Sequence, residues 1–528
     1  MIGQNMIGAA MIGGITLLAA SASAAGGGSI SGSAALVGGG SNAGGGAIAG
    51  SANMVGGGVV AVTGTITVTD GFANNRVYQR DAGVLTRSFT ISGTYTDGPP
   101  TAIVYRTVRD SDGTPLSSWA VLDASPGGGT FSGTVDVPAS KYMMNIEVAF
   151  IDNTSVNDST ANAFGIGVVY ALAGQSNGFY WYTSGAENVA GNDGVRWAAT
   201  GWADVDGFNN DGITAFANTL NDAIDLAVGV VAYSPSSTGL VAAGDSGSGY
   251  WTNFAGNPYT TFKSYVDGRT AGDLEGIIYI QGENEVAAGV GEATYQLGLG
   301  TLVTQLRADF DNHSGNDNLP VIIVEIGTHT TLGDAAQQAI RNAQKNFAAE
   351  TADVFMSGSM IDLPLRDNVH YTNAAIYQSL APRVGLVAAA IFDQASPVLW
   401  PRASYWYREA DIVTVKIAQA VGASNFTPTS GIEGFEFLDD GTPITINSAV
   451  RLNGTTVRLT LASEPSGTEV LRYGYGANVI APNALIDNQT VPFALESDTE
   501  IPEGSPPAGG TVQGITSTFG MNVQTSIN

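Results

Sequence analysis

The chain has 528 residues and a net charge of −27, length enough for about three or four domains. So acidic a balance excludes nucleic acid as a partner by simple electrostatics, and the absence of cysteine excludes disulfides and thiolate metal sites. Frequent glycine (70 residues) and scarce charge (13%) point to a β-rich or fibrous composition, not to the highly charged composition of disordered chains.

Residues 1–69 carry no charged side chain; Asp70 is the first. One phrase recurs there, at residues 8–14, 33–40 and 51–58: two small residues, two bulky ones, then glycines. Such a segment orders only if copies bury Leu36, Val37, Met54 and Val55 against each other, because glycine loses the most freedom on ordering. Residues 1–58 are therefore expected to form a glycine-rich oligomerising stem, with a flexible leader as the bland reading. Residues 11–25 are too short and too rich in small side chains for a membrane span. They resemble a signal peptide ending at Ala22-Ser23-Ala24, but no Lys or Arg precedes them.

Residues 59–165 read as β structure, with strands at 59–68, 88–95, 102–108, 129–135 and 143–151. Turn formers such as Asp97-Gly98-Pro99-Pro100 and Asp112-Gly113 separate them. Short strands at this spacing predict a β-sandwich. Residues 166–393 alternate strands (166–173, 228–233, 276–281, 320–326, 354–357) with helices (213–226, 294–310, 334–350, 374–392), which predicts a parallel sheet wrapped by helices. Residues 394–495 return to β, a second sandwich with strands at 411–417, 434–438, 448–452, 455–461 and 469–475. Residues 496–528 read as an extended tail.

The candidate chemistry lies in the alternating region. Ser176 follows the first strand within Gly174-Gln175-Ser176-Asn177, and sites in parallel sheets lie beyond the carboxyl ends of the strands. Of three histidines (His313, His329, His370), only His370 has an aspartate at i−3, Asp367. Asp367 can hold one ring nitrogen while the other takes a serine proton. Thr372 or Asn373 is expected to cap the helix that follows. Gln281 ends another strand in Gln281-Gly282-Glu283, where an amide can donate to a developing oxyanion; Glu283 is placed to brace that loop. Aromatic residues cluster near the serine, and Trp181 and Trp251 are the candidates for packing on a sugar ring. The acidic loop from Asp204 to Asp211 lacks the register and the terminal glutamate of an EF-hand. It is read as a solvated loop, so no metal site and no cofactor is expected.

Together the three motifs resemble those of the SGNH hydrolase superfamily, in its sialic-acid O-acetylesterase-like and acetylxylan-esterase-like branch. They stand in that family's order within the stretch of about 230 residues from 166 to 393. The resemblance implies a flavodoxin-like α/β/α domain that hydrolyses O-acetyl esters on carbohydrates. It implies Ser176 as nucleophile, His370 as base then acid, and Asp367 as the orienting carboxylate. It implies an oxyanion hole from the Ser176 N–H, Gln281 and a backbone N–H of a glycine pair after the second strand. Here Ser236-Ser237 replace that pair, which leaves the N–H of Ser237 for the role and Gly239 and Gly244 as fallback donors.

The whole chain then reads as multidomain: a stem, a β-sandwich, an SGNH-type esterase domain, a second β-sandwich and a tail. This architecture suits a trimeric fibre or spike on a phage virion, attached to a capsid or tail protein. Its partner would be an acetylated host surface polysaccharide, with no nucleic acid and no membrane involved. A secreted bacterial carbohydrate acetylesterase and a catalytically weak carbohydrate-binding adhesin are the alternatives; a purely structural particle protein is a further rival. Turnover is expected to rise with pH as the histidine base becomes neutral.

Overall fold

The computed structural model describes residues 64–506, except 70–71, 98–99, 184–188, 199–200, 206–209, 396–398, 421 and 477–482. The stem expected over 1–58, the signal-peptide reading at 11–25, the tail beyond 506 and the middle of the acidic loop lie outside the described residues.

Strand β1, Phe164–Gly174, organises the rest. Its eleven residues, FGIGVVYALAG, are all buried, as an uncharged run covered on both faces must be. Its first half pairs in parallel with Arg76–Gln79 and touches Met144 of a β layer. Its second half enters a sheet with β2 (Val195–Ala198), β3 (Trp202–Asp204), β4 (Ala227–Tyr233), β5 (Gly276–Ile280), β6 (Val321–Val324) and β7 (Val354–Met356). The order is β3-β2-β4-β1-β5-β6-β7. All pairs are parallel except β2 with β3. Connections diverge on either side of β1, so a crevice opens at its carboxyl end, where ligands bind in such sheets.

Alternate residues of β1 feed two cores. Val168, Tyr170 and Leu172 face α2 (Asp211–Ile224) and α7 (Asn373–Phe392). Val169, Ala171 and Ala173 face α3 (Tyr259–Thr270), α5 (Glu292–Asp309) and α6 (Asp334–Glu350). The result is a three-layer α/β/α arrangement. Among the described residues α7 alone is long and apolar enough to cross a membrane, yet 67% of its apolar window is buried inside the protein.

Antiparallel β layers flank this core. On the N-terminal side Ile66–Val68, Thr86–Tyr95 and Thr130–Pro138 form one layer. Ile103–Arg109, Ala120–Asp123, Met144–Phe150 and Asn153–Ser159 form the other. Ile91, Phe131, Ile146 and Val148 pack between them. On the C-terminal side two four-stranded sheets share a core that includes Val413, Val415, Phe437 and Leu471. Strand Asp498–Ile501 pairs with Glu469–Tyr473, so this sheet runs past residue 495 into the stretch expected to be tail.

Buried polar ties join the layers. Arg80 meets Glu275 at 2.8 Å. Arg341 donates to the carbonyls of Ile326, Gly327 and Gly474. Removing one partner of such a buried pair leaves an uncompensated charge, which is strongly destabilising.

Candidate active site

The chain leaves β1 through Gly174, whose φ of +145° favours glycine. A Cβ there would lie 2.0 Å from the Ile280 carbonyl oxygen. The β4 loop anchors the strand end: Trp251 Nε1 and Thr238 Oγ1 donate to the Gly174 oxygen, and Ser234 Oγ donates to that of Gln175. Ser176 opens the short α1 turn, Ser176–Phe179. As the first helical residue it has no intrahelical acceptor for its N–H.

His370 Nε2 lies 2.9 Å from Ser176 Oγ, and its Nδ1 lies 2.8 Å from Asp367 Oδ2. The structure thus brings together a hydroxyl, an imidazole and a carboxylate from segments 194 residues apart. Asp367 Oδ1 accepts from the N–H groups of Val369 and His370. Partial burial opposes ionisation of this carboxyl, but the two N–H groups and the ring outweigh it and hold it down at about 2. With Asp367 ionised, Nδ1 carries the proton, leaving Nε2 as acceptor for the serine. Thr372 caps α7, its Oγ1 accepting from the Ala375 N–H at 3.1 Å.

Gln281 departs from expectation. It is fully buried, and its Nε2 donates to Gln175 Oε1, to the Thr238 carbonyl and to Glu285 Oε2. Two amide hydrogens thus face three internal acceptors, and none is left for an oxyanion. Its Oε1 accepts from Tyr295. Gln281 is a scaffold residue in this structure, and its expected donor role is corrected. Glu285 is also fully buried. Burial pushes its carboxyl up to about 7, against the pull of Gln281 and the N–H groups of Leu240 and Val241.

Ser237 lies at the turn after β4 with φ +64°, a left-handed conformation that is strained for any residue but glycine. It adopts the backbone shape that a glycine would take there without strain. The fallback donors are committed: the Gly239 N–H bonds Gly249 and the Gly244 N–H bonds Val241.

Trp181 and Trp251 are both 0% exposed, one in each core. Neither can touch a sugar, so their expected substrate contact is corrected. The aromatic ring beside the histidine is instead Tyr180, half-buried, its centroid 5.0 Å from the His370 ring. The Arg366 guanidinium stacks over the Tyr180 ring, 3.5 Å from its centroid, and lies 3.7 Å from Asp367. Sequence reasoning gave no role to Asn177, which stands in the serine motif itself, or to Tyr180, which stands in the aromatic cluster beside it, and it missed Arg366, the residue before Asp367. Of the acidic loop, Asp211 starts α2 and accepts from the Val189 N–H.

A family model described as carbohydrate esterase, sialic acid-specific acetylesterase, matches residues 210–385. That span is well under half of the chain; it contains Gln281, Asp367 and His370 but not Ser176. In structure the chain is similar to a carbohydrate acetylesterase from Xanthomonas citri, with TM-score 0.52 and 17% identity, over 82% of this chain and 99% of that one. It is more distantly similar to NanS, with TM-score 0.33 and 12% identity, over 43% of this chain and 98% of that one. Only the first of these speaks to the fold. No curated protein matches in sequence. Fold, site and family match define an enzyme of the carbohydrate-esterase class.

Proposed function

We propose that this enzyme removes O-acetyl groups from a polysaccharide through an acetyl-enzyme on Ser176. The observation that carries the proposal is the continuous chain from Ser176 Oγ through His370 to Asp367. Oγ attacks the acetyl carbonyl while its proton passes to Nε2. The N–H groups of Ser176 and Ser237 face the developing oxyanion. The bond to the sugar oxygen breaks, and Nε2 returns the proton to that oxygen. Water, deprotonated by the same nitrogen, attacks the acetyl-enzyme and releases acetate and free serine. The imidazolium formed midway is balanced by Asp367.

Arg366 favours a sugar that carries an anionic group. Its guanidinium forms no side-chain hydrogen bond among the described residues, and it borders the catalytic loop beside Tyr180. Such a fork suits a carboxylate. The decisive experiment is acetate release from acetylated polysaccharides by wild type and Ser176→Ala. Loss of about 10³-fold or more is expected, and equal rates would reject the proposal.

The wider setting is also a proposal: a trimeric fibre or spike of a phage virion that trims an acetylated host surface polysaccharide. What supports it is the sequence of residues 1–69, uncharged and threefold repetitive. The mass of the native assembly tests it; a trimer is expected, and a monomer would overturn it.

A further inference from the structure

The segment that carries His370 is held from two directions, and only one of the two contacts belongs to the triad. Asp367 approaches from the exposed side of the loop, its side chain 47% accessible. On the inner side stands Asn177, 1% exposed. Its Nδ2 donates to the Val369 carbonyl at 3.3 Å and to Glu283 Oε1 at 2.6 Å, and its Oδ1 accepts from the Tyr371 N–H at 3.4 Å. Only one orientation of the amide satisfies two acceptors and one donor so placed. Val369 and Tyr371 are the neighbours of His370 in the chain. Asn177 therefore clamps the backbone on both sides of the base, from the same α1 turn that carries the nucleophile.

Glu283 fixes the clamp. It opens α4, Glu283–Ala288, beside the end of β5. It is 7% exposed, and its Oε2 is buried with no hydrogen-bond partner. Burial pushes this carboxyl above its usual range, with Asn177 pulling the other way. An orphaned buried oxygen is costly. What the side chain does supply is an acceptor for Asn177. We propose that Glu283 is a positioning residue, holding His370 against Ser176 through Asn177. The inference rests on the serine-hydrolase reading above. It adds that two strand ends, those of β1 and β5, and the loop beyond β7 are locked together by one amide. Misplacing a base by about 1 Å costs on the order of 100-fold in rate, so the lock has kinetic consequences.

The test compares Glu283→Gln, Glu283→Ala, Asn177→Ala and the double alanine variant with wild type. One readout is the rate at which a fluorophosphonate labels Ser176, followed by intact mass; the other is kcat and KM on an acetyl ester. For Glu283→Ala, labelling and kcat should fall about 10- to 100-fold with KM nearly unchanged. Glu283→Gln should stay near wild type, because its amide oxygen still accepts from Asn177. Asn177→Ala should match Glu283→Ala, and the double variant should be no worse than either single one. Labelling of Glu283→Ala at the wild-type rate would overturn the proposal. So would a Glu283→Gln variant as slow as the alanine variant, or effects that multiply in the double variant. If Glu283→Ala does not fold, Glu283→Gln and Asn177→Ala decide the matter by the same criteria. A wild-type protein that resists labelling would instead refute the serine-hydrolase reading, and this inference with it.

Discussion

Two loops reach the neighbourhood of Ser176, and they differ in what their polar side chains are bonded to. In the Asp367–His370 loop the imidazole and the carboxylate keep partial access to solvent, with side-chain exposures of 21% and 47%. In the segment from Gln281 to Glu285 the side chains of Gln281, Glu283 and Glu285 are buried and bonded inward. In the proposed mechanism the first loop exchanges protons with the substrate, and the second supports it from beneath. Among residue types equally capable of chemistry, solvent access separates the proposed reacting groups from the scaffold.

The sharpest way to break this contrast is Asp367→Asn. The imidazole tautomer would no longer be enforced, and kcat should fall by about 10² to 10⁴-fold while the protein still folds. Gln281→Leu should do the reverse. It takes one donor from Gln175 Oε1 and the Gln281 donor from the buried Glu285 Oε2, so stability should drop by about 1–3 kcal/mol in denaturant titration. The kcat of the folded fraction should stay within about tenfold of wild type, whereas an oxyanion donor would cost 10²- to 10³-fold. Trp251→Phe sharpens the point for the aromatics. Losing the bond to the Gly174 carbonyl should cost about 1 kcal/mol and leave KM for a sugar ester unchanged. A large KM change would restore Trp251 as a substrate contact. Arg366→Ala should raise KM several-fold for anionic acetylated sugars and leave neutral ones alone, measured on matched substrates.

The smallest effect concerns pH. The carboxyl of Glu285, at about 7 in the folded state, lies above its usual 4.5. The folded state thus binds this proton more tightly than the unfolded chain. Its contribution is full below about pH 4.5 and is lost as pH rises through 7. Glu285→Gln cannot ionise, so its melting temperature should fall less than that of wild type between pH 5 and 8. Asp367 has the opposite sign. Its depressed carboxyl contributes above the usual carboxylate range, and that contribution is lost as pH falls towards 2.

Much of the α/β domain was legible because its periods are clean. The helix expected at 334–350 is α6, Asp334–Glu350, and the strand expected at 228–233 is β4, Ala227–Tyr233. Helix α3, Tyr259–Thr270, was missed because its sequence, YTTFKSYVDGRT, is rich in β-branched and aromatic residues. Tertiary burial of Phe262 and Val266 overrides that preference. Strand Arg402–Glu409 was missed because charged residues stand at both its ends. In the site, Ser176, Asp367 and His370 stood out because the roles proposed for them depend on residue type and local spacing. Gln281 and the tryptophans misled because a sequence shows what a side chain can donate or cover but not which buried groups already claim it. Gln175 and Glu285 claim Gln281, and the two cores claim Trp181 and Trp251.

The most direct measurement is acid-quenched capture of the acetyl-enzyme, mapped by peptide mass spectrometry during turnover of an acetylated sugar. The expected result is one acetyl group on Ser176 in wild type, accumulating further when deacylation is slowed, and none in Ser176→Ala. Turnover that persists in Ser176→Ala, or an acetyl group carried by another residue, would contradict the role assigned to this serine.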